Sequence, residues 1–516
     1  MPQTRDSPGG VAYASGAGRW LIAVAVAGSG MAFLDGTVVN VAVPDIGRDL
    51  GADGAALQWI LNGYLLTLAS LILLGGSLGD RYGRRRVFVA GIGVFTAASA
   101  LCAAAPTAEV LIAARLLQGV GGALLTPGSL AIIEAGFRPA DRARAIGAWS
   151  GLSGVSTALG PLLGGYLVEA ISWRAIFLIN LPIGAATIWA ARRHVPESLD
   201  PEAGAGRLDT RGAALAALGL GGTTYALIEA PGRGASAAVV VSGVAGVLAL
   251  VAFFVAERRS PNPMLPLEIF SSRQFSAANA VTFAVYAALG GFFFLLVAFL
   301  QISLDYTPVA AGAASLPVTL LMLIFSARAG ALAQRVGPRL PLTLGPLIIA
   351  VGLAMLALVE PGDSYLTSVL PAAVIFGAGL TLVVAPVTAT VLAAADARHA
   401  GLASGVNNAV ARVAGLLAVA GLPVVAGLSG DGFFEPATMT DGFHLAMLVC
   451  AALSLAGALI AWLTIDPTVL HVEAEPGGDT SAHLAEDFSC GIGAPPLRPA
   501  REAECDFEPP AELQTR

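Results

Sequence analysis

A few ionisable side chains set deep in apolar sequence carry most of the chemistry open to this chain. Asp35 lies fifteen residues after Trp20 and nine before Pro44, inside a long apolar run. A carboxylate at the centre of a membrane helix costs about 2.5–3.5 kcal/mol on insertion scales, and loss of water favours its neutral form. A group so placed can take a proton from one side and release it to the other, which makes Asp35 a candidate proton carrier. The alternative is a structural acid bonded to hydroxyls or to an arginine. Arg115 stands a short way inside another run, with Gln118 and Gly119 at i+3 and i+4 on its helical face. Its charge is permanent, so it must meet a cavity, carbonyls or an acid, or else snorkel to the interface. Gly405, Asn408, Arg412 and Gly415 recur at i, i+3, i+7 and i+10. That face reads either as a substrate-cavity wall or as helix–helix glue.

A third constellation is GSLGDRYGRRR, residues 76–86. Asp80 would sit at the negative end of its own helix dipole and needs positive charge nearby. Arg81, Arg84, Arg85 or the N-terminus of another helix could supply it. Gly76 and Gly79 permit close helix approach. Gly76, Asp80, Arg81, Gly83 and Arg84 therefore read as a conformational latch of breakable polar contacts. Arg86 reads as a residue set by the positive-inside rule, and Glu134 and Arg328 as interfacial.

Other chemistries find no support. The five histidines and four cysteines form no metal-ligand or acid–base spacing. No Ser/His/Asp arrangement stands out. All 28 basic residues are arginine, so a phosphate-binding GxxxxGK[ST] loop is excluded. The expectation is a protein that is not an enzyme, with no metal or cofactor and no nucleic-acid partner.

The elements that hold these residues are membrane helices. The 516 residues are 56% hydrophobic and 12% charged, outside the range of soluble domains. About twenty apolar residues span a bilayer, and fourteen such runs occur, at 19–43, 55–77, 86–105, 109–133, 144–168, 172–191, 211–229, 236–256, 276–301, 308–332, 340–359, 366–394, 401–427 and 442–465. Runs of this length exceed a barrel strand, and helices satisfy their own backbone in lipid. With the N-terminus cytoplasmic, 22 arginines fall in inside segments and three in outside ones, the positive-inside pattern for an even number of spans.

GALAQRVGPRL at 330–340 echoes GSLGDRYGRRR. Each closes the second span of a six-span set, which suggests repeated halves around a central cavity. The expected fold is an all-α polytopic membrane protein of two pseudo-symmetric six-helix bundles plus two linker helices. The segments would be a tail at 1–18, bundles at 19–191 and 274–465, a linker at 192–260, and a disordered acidic tail at 466–516.

Several stretches together resemble the major facilitator superfamily, and within it the fourteen-span drug:proton antiporters. GSLGDRYGRRR is similar to its loop 2–3 signature. LDGTVVNVAVP (34–44), LIAARLLQGVGGALLTP (111–127) and GAWSGLSGVSTALGPLLGG (147–165) resemble its first-, fourth- and fifth-helix motifs, and WRAIFLINLPIG (173–184) is also typical. The resemblance implies proton coupling at Asp35 and Arg115, a cavity touching Asn40, Gln118, Asn408 and Arg412, and an antiporter helix marked by Gly147, Gly160, Pro161, Gly164 and Gly165. Ser156 replaces a usual glycine, which should loosen packing there. Gln334 replaces the acid in the second latch.

The implied activity is proton-coupled efflux of small amphipathic molecules by alternating access. A monomer in the plasma membrane is expected, with both termini cytoplasmic. Alternatives are a dedicated metabolite transporter or importer on the same scaffold, or a membrane sensor. One deep acid and two deep arginines suit neutral or anionic substrates at least as well as cations.

Overall fold

The computed structural model describes residues 10–199, 208–395, 400–428 and 430–470. Fourteen helices long and apolar enough to cross a membrane run through them: α1 (Gly16–Leu50), α2 (Gly54–Tyr82), α3 (Arg84–Ala104), α4 (Ala108–Gly136), α5 (Pro139–Ala170), α6 (Ala175–His194), α7 (Thr210–Arg233), α8 (Ala237–Arg259), α9 (Arg273–Ile302), α10 (Pro308–Val336), α11 (Arg339–Leu356), α12 (Tyr365–Ala393), α13 (Gly401–Val425) and α14 (Pro436–Thr464). Their starts are chemically marked. Side chains of Ser15, Asp53, Thr107, Asp209, Ser272 and Thr307 each accept a hydrogen bond from a first-turn backbone N–H, satisfying donors a helix leaves open.

The boundaries differ from the sequence expectation in places. α1 continues past Pro44 to Leu50 and ends on Gly51 in the left-handed region. Residues 10–15, expected as free tail, dock on the α4–α5 turn: Val11 N donates to Gly136 O at 2.7 Å and Tyr13 N to Asp141 Oδ2 at 3.0 Å. α6 is interrupted at Ile179, where Pro182 offers no N–H to the Leu178 carbonyl. The disordered tail expected from 466 lies, from 471 onward, outside the described residues.

Helix pairing repeats between the halves. Within α1–α6 the neighbours are α1 with α4, α5 and α6, α2 with α4, and α3 with α4 and α6. Adding eight to each number gives the pairs α9 with α12, α13 and α14, α10 with α12, and α11 with α12 and α14, all of which occur. The halves meet through α1 with α9 and through α2 with α13 and α5 with α10. The last two pairs exchange under the same symmetry. α7 and α8 pack on each other, and α7 lies against α2 and α13. α8 exposes Val240, Val244, Val247, Val251 and Phe254, the surface expected of a helix bathed in lipid.

The echo between the two latch sequences is structural. Gly83 ends α2 at φ +108° and Gly337 ends α10 at φ +81°, a backbone region costly for residues bearing a Cβ.

The halves are sealed at the membrane face opposite the arginine-rich loops. There Gln301 Nε2 donates to Val41 O at 2.9 Å and Val309 N to Glu169 Oε2 at 3.1 Å. Gly165 abuts the Pro308 backbone, and Gly312 abuts that of Pro161. Toward the arginine-rich face the same side of α5 is bare: Gly147, Gly151 and Gly154 have no atom within 4 Å of their Cβ positions. α5 and α10 thus touch at one end and splay at the other.

Candidate functional site

Glycines bring the elements of the site together. Gly119 on α4 sits against Tyr64 and Thr67 of α2, and Gly121 against Gly91 and Phe95 of α3. Thr67 Oγ1 fastens the first contact by donating to Leu116 O at 2.8 Å. This approach carries Arg115 and Gln118, one turn back on α4, into the middle of the N-terminal bundle.

There they meet Asp35. Arg115 Nη1 lies 2.5 Å from Asp35 Oδ2, and Gln118 Nε2 donates to Asp35 Oδ1 at 2.7 Å. Arg115 also donates to Gln118 Oε1 at 2.6 Å and, through Nε, to Ile60 O at 3.1 Å. Its guanidinium stacks over the Tyr64 ring at 4.5 Å. Gln118 reaches on to Ser99 Oγ at 2.9 Å, which in turn receives Asn180 Nδ2 at 3.3 Å. Asp35 and Gln118 are 0% exposed and Arg115 1%. The cluster therefore draws on α1, α2, α3, α4 and α6, and it is buried.

The structure shows the arginine contact that the sequence left open for Asp35: the carboxylate is buried and paired with Arg115. The pair is internally neutral, which leaves Arg412 as the other deep charge named from the sequence. Gln118, expected at the substrate cavity, is instead buried in this cluster. Its union with Asp35 follows from bundle packing that no single run of sequence displays.

Arg412 stands apart from the cluster. Its Nε donates to Asn408 Oδ1 at 3.3 Å, and its guanidinium lies 5.7 Å from the ring centre of Phe33 on α1. No carboxylate pairs with it among the described residues. Asn40 bonds back to Gly36 O at 3.4 Å. Gly36 on α1 and Gly415 on α13 have open space at their Cβ positions. Neighbouring Asn407 turns the other way, tying α13 to α9 through Asn279 and Thr282 at 3.2 and 2.8 Å.

Of the residues expected to form a latch, Asp80 and Arg84 pair directly. Asp80 Oδ1 accepts from Arg84 Nε and Nη2, both at 2.8 Å. Arg81 lies over the Tyr82 ring at 5.7 Å. Sequence reasoning missed Glu197, whose carboxylate accepts from Arg85 N at 3.0 Å and occupies the space a Cβ on Gly83 would take. Among the antiporter-helix residues, Gly160 and Gly164 pack on Thr37 and Val38 of α1, while Gly165 and Pro161 meet α10 and Gly147 stands free. Ser156 does not leave a gap, since its hydroxyl covers Gly30.

Sequence reasoning also missed Tyr64, Ser99 and Asn180. The signal was available in part: each is a polar or aromatic group within an apolar run. Asn180 keeps a buried Oδ1 without a donor, and on α2 Gln58 Oε1 and both amide atoms of Asn62 are likewise unpartnered.

Residues 25–419 match the Major Facilitator Superfamily. The chain is 37% identical to the puromycin resistance protein pur8 of Streptomyces alboniger, over 87% of this chain and 91% of that protein. It is 35% identical to the methylenomycin A resistance protein of Bacillus subtilis, covering 87% and 95%, and 35% identical to the tetracenomycin C resistance and export protein of Streptomyces glaucescens, covering 84% and 81%. Among solved structures, a peptide transporter POT in complex with sulfate aligns with a TM-score of 0.63 at 18% identity, covering 89% of this chain and 97% of that one. A bacterial homologue of the lysosomal transporter Spinster, inward-facing and unoccupied, aligns at 0.62 and 18%, covering 87% and 97%.

Proposed function

The chain belongs to the Major Facilitator Superfamily, and on that footing we propose that it is a proton-coupled exporter of small amphipathic molecules working by alternating access. Relatives named for antibiotic resistance and export support the direction of transport. The observation that carries the coupling is the Asp35–Arg115 pair buried at the centre of the N-terminal bundle. A carboxylate held by a guanidinium has two ways to be neutralised, the arginine or a proton. The present conformation is the arginine-bound, buried one. Proton uptake at Asp35 frees Arg115 and Gln118 to rearrange, and rearrangement of five helices joined at one cluster moves the bundle. Ser99 and Asn180 extend the polar network through which the change spreads.

The proposed cavity lies between the halves, bordered by Asn40 on α1 and Asn408 and Arg412 on α13, whereas Gln118 belongs to the buried charge cluster. With Asp35 and Arg115 neutralising each other, the cavity's remaining charge is that of Arg412, which favours neutral or anionic amphiphiles. Asp80 and Arg84 form the latch at the arginine-rich face, which is cytoplasmic by the positive-inside rule and carries both termini. The protein acts as a monomer with bundle segments 19–191 and 274–465, a linker at 192–260, and no cofactor.

The test uses energised inside-out membrane vesicles and a pH-sensitive dye. Adding a transported compound discharges the lumenal acidity of vesicles containing the protein and leaves control vesicles unchanged. Absence of any discharge across a panel that includes puromycin, methylenomycin A and tetracenomycin C, with transport of one of them still measurable, would remove proton coupling.

A further inference from the structure

A groove lies on the outside of the N-terminal bundle, away from the charge cluster. It measures about 590 Å³ and opens between α3 and α6 at the arginine-rich face. Arg85, Arg86 and Arg192 stand at its head, and Ala90, Gly93 and Ile188 line it below. Gly93 has no atom within 4 Å of its Cβ position. Seven residues of helix separate Arg86 from Gly93, so the trough reaches roughly 10 Å from the guanidiniums into the apolar zone.

The charge at the head is unbalanced. Arg85 and Arg86 share one carboxylate, Glu197, at 3.5 and 3.6 Å. Arg192 and Arg193 are exposed and pair with no acid within 4 Å among the described residues. Beside them Trp189 is 58% exposed, and His194 stacks on Trp20 with ring centres 4.1 Å apart. Indole rings favour the headgroup level of a bilayer. The position, a cationic head above a narrow apolar trough open sideways, differs from an ordinary positive-inside loop, which needs no trough.

We propose that this groove binds an anionic phospholipid, its phosphate between Arg86 and Arg192 and an acyl chain along Ala90, Gly93 and Ile188. Basic pockets between membrane helices recognise such headgroups. The lipid phosphate competes with Glu197 for Arg85 and Arg86, and Glu197 also holds the α2–α3 turn through Arg85 N. Lipid occupancy therefore acts on the latch, whatever molecule is transported.

The full-length protein in phosphatidylcholine nanodiscs tests this, with one-tenth of the lipid replaced by brominated phosphatidylglycerol or, in parallel, brominated phosphatidylcholine. Bromine quenches nearby tryptophan, and the difference from Trp189→Phe isolates the groove. Brominated phosphatidylglycerol quenches Trp189 more strongly, with a site preference of roughly fivefold per unpaired arginine. Arg86→Gln/Arg192→Gln/Arg193→Gln abolishes the preference, and Gly93→Leu, which fills the trough and keeps every charge, reduces it. Equal quenching by the two lipids, or a preference that survives the triple substitution, overturns the site. A preference lost in the triple variant but intact in Gly93→Leu also overturns it, in favour of diffuse attraction to the basic face.

Discussion

Asp35 on α1 and Arg115 on α4, eighty residues apart in sequence, meet at 2.5 Å with 0% and 1% of their surfaces exposed. Removing one partner of a buried pair strands the other charge and typically costs about 3–5 kcal/mol. Arg115→Met is therefore expected to lower the unfolding temperature of the purified protein markedly. The double variant Asp35→Asn/Arg115→Met should regain most of that loss while remaining inactive. A double variant no more stable than Arg115→Met would mean that the guanidinium matters for packing on Tyr64 rather than for charge.

The proposed Asp80–Arg84 latch predicts that rate and folding can be separated. Asp80→Asn keeps the shape and loses the ion pair with Arg84, so transport turnover should fall several-fold with little change in the amount of folded protein. Gly83→Ala does the reverse. It forces a Cβ into a positive-φ position against Glu197, costing at least about 1–2 kcal/mol. Thermal unfolding and initial transport rates, measured on both variants, distinguish the two effects.

The α5–α10 contact is the seal. Gly165→Leu drives a side chain into the Pro308 backbone, and overpacking of this kind costs about 1–3 kcal/mol. The closed end should open more often, giving proton leak into vesicles without substrate. Gly147→Leu, at the bare end of the same helix, should leak no more than the unmodified protein. Equal leak in both would place the seal elsewhere.

Arg412 has no acidic partner among the described residues, so it should select substrate charge. Arg412→Gln is expected to weaken binding of an anionic substrate by about tenfold, the scale of one charge-assisted hydrogen bond, and to leave a neutral one nearly unaffected. Direct binding measurements on a matched acid and amide pair check this.

Much of the architecture was legible in the chain itself. Fourteen apolar runs, arginine asymmetry and one echo between 76–86 and 330–340 led to the helices and the repeated halves. The echo was sound because Gly83 and Gly337 perform the same backbone task. The candidate site was legible only as separate letters. Asp35, Arg115 and Gln118 stood out as costly polar residues in oil, but their union depends on Gly119 and Gly121 letting α4 close on two other helices. Ser99 and Asn180 were quiet because small polar groups occur in membrane helices for many reasons. Glu197 was silent, since an acid after an arginine run resembles ordinary loop sequence. α1 extends beyond Pro44 to Leu50 although a proline in a helical run usually marks its end; here the helix carries it through.

In the proposed mechanism transport depends on Asp35 taking up a proton in exchange for its bond to Arg115, and reconstituted vesicles holding Asp35→Asn test that step most directly. Substrate exchange between equal pools on both sides should persist, because it needs only the alternating cavity. Uphill accumulation driven by an imposed pH gradient should disappear, together with substrate-triggered proton movement. Uphill accumulation at the rate of the unmodified protein would mean that another group carries the proton and that the Asp35–Arg115 pair merely holds the bundle together.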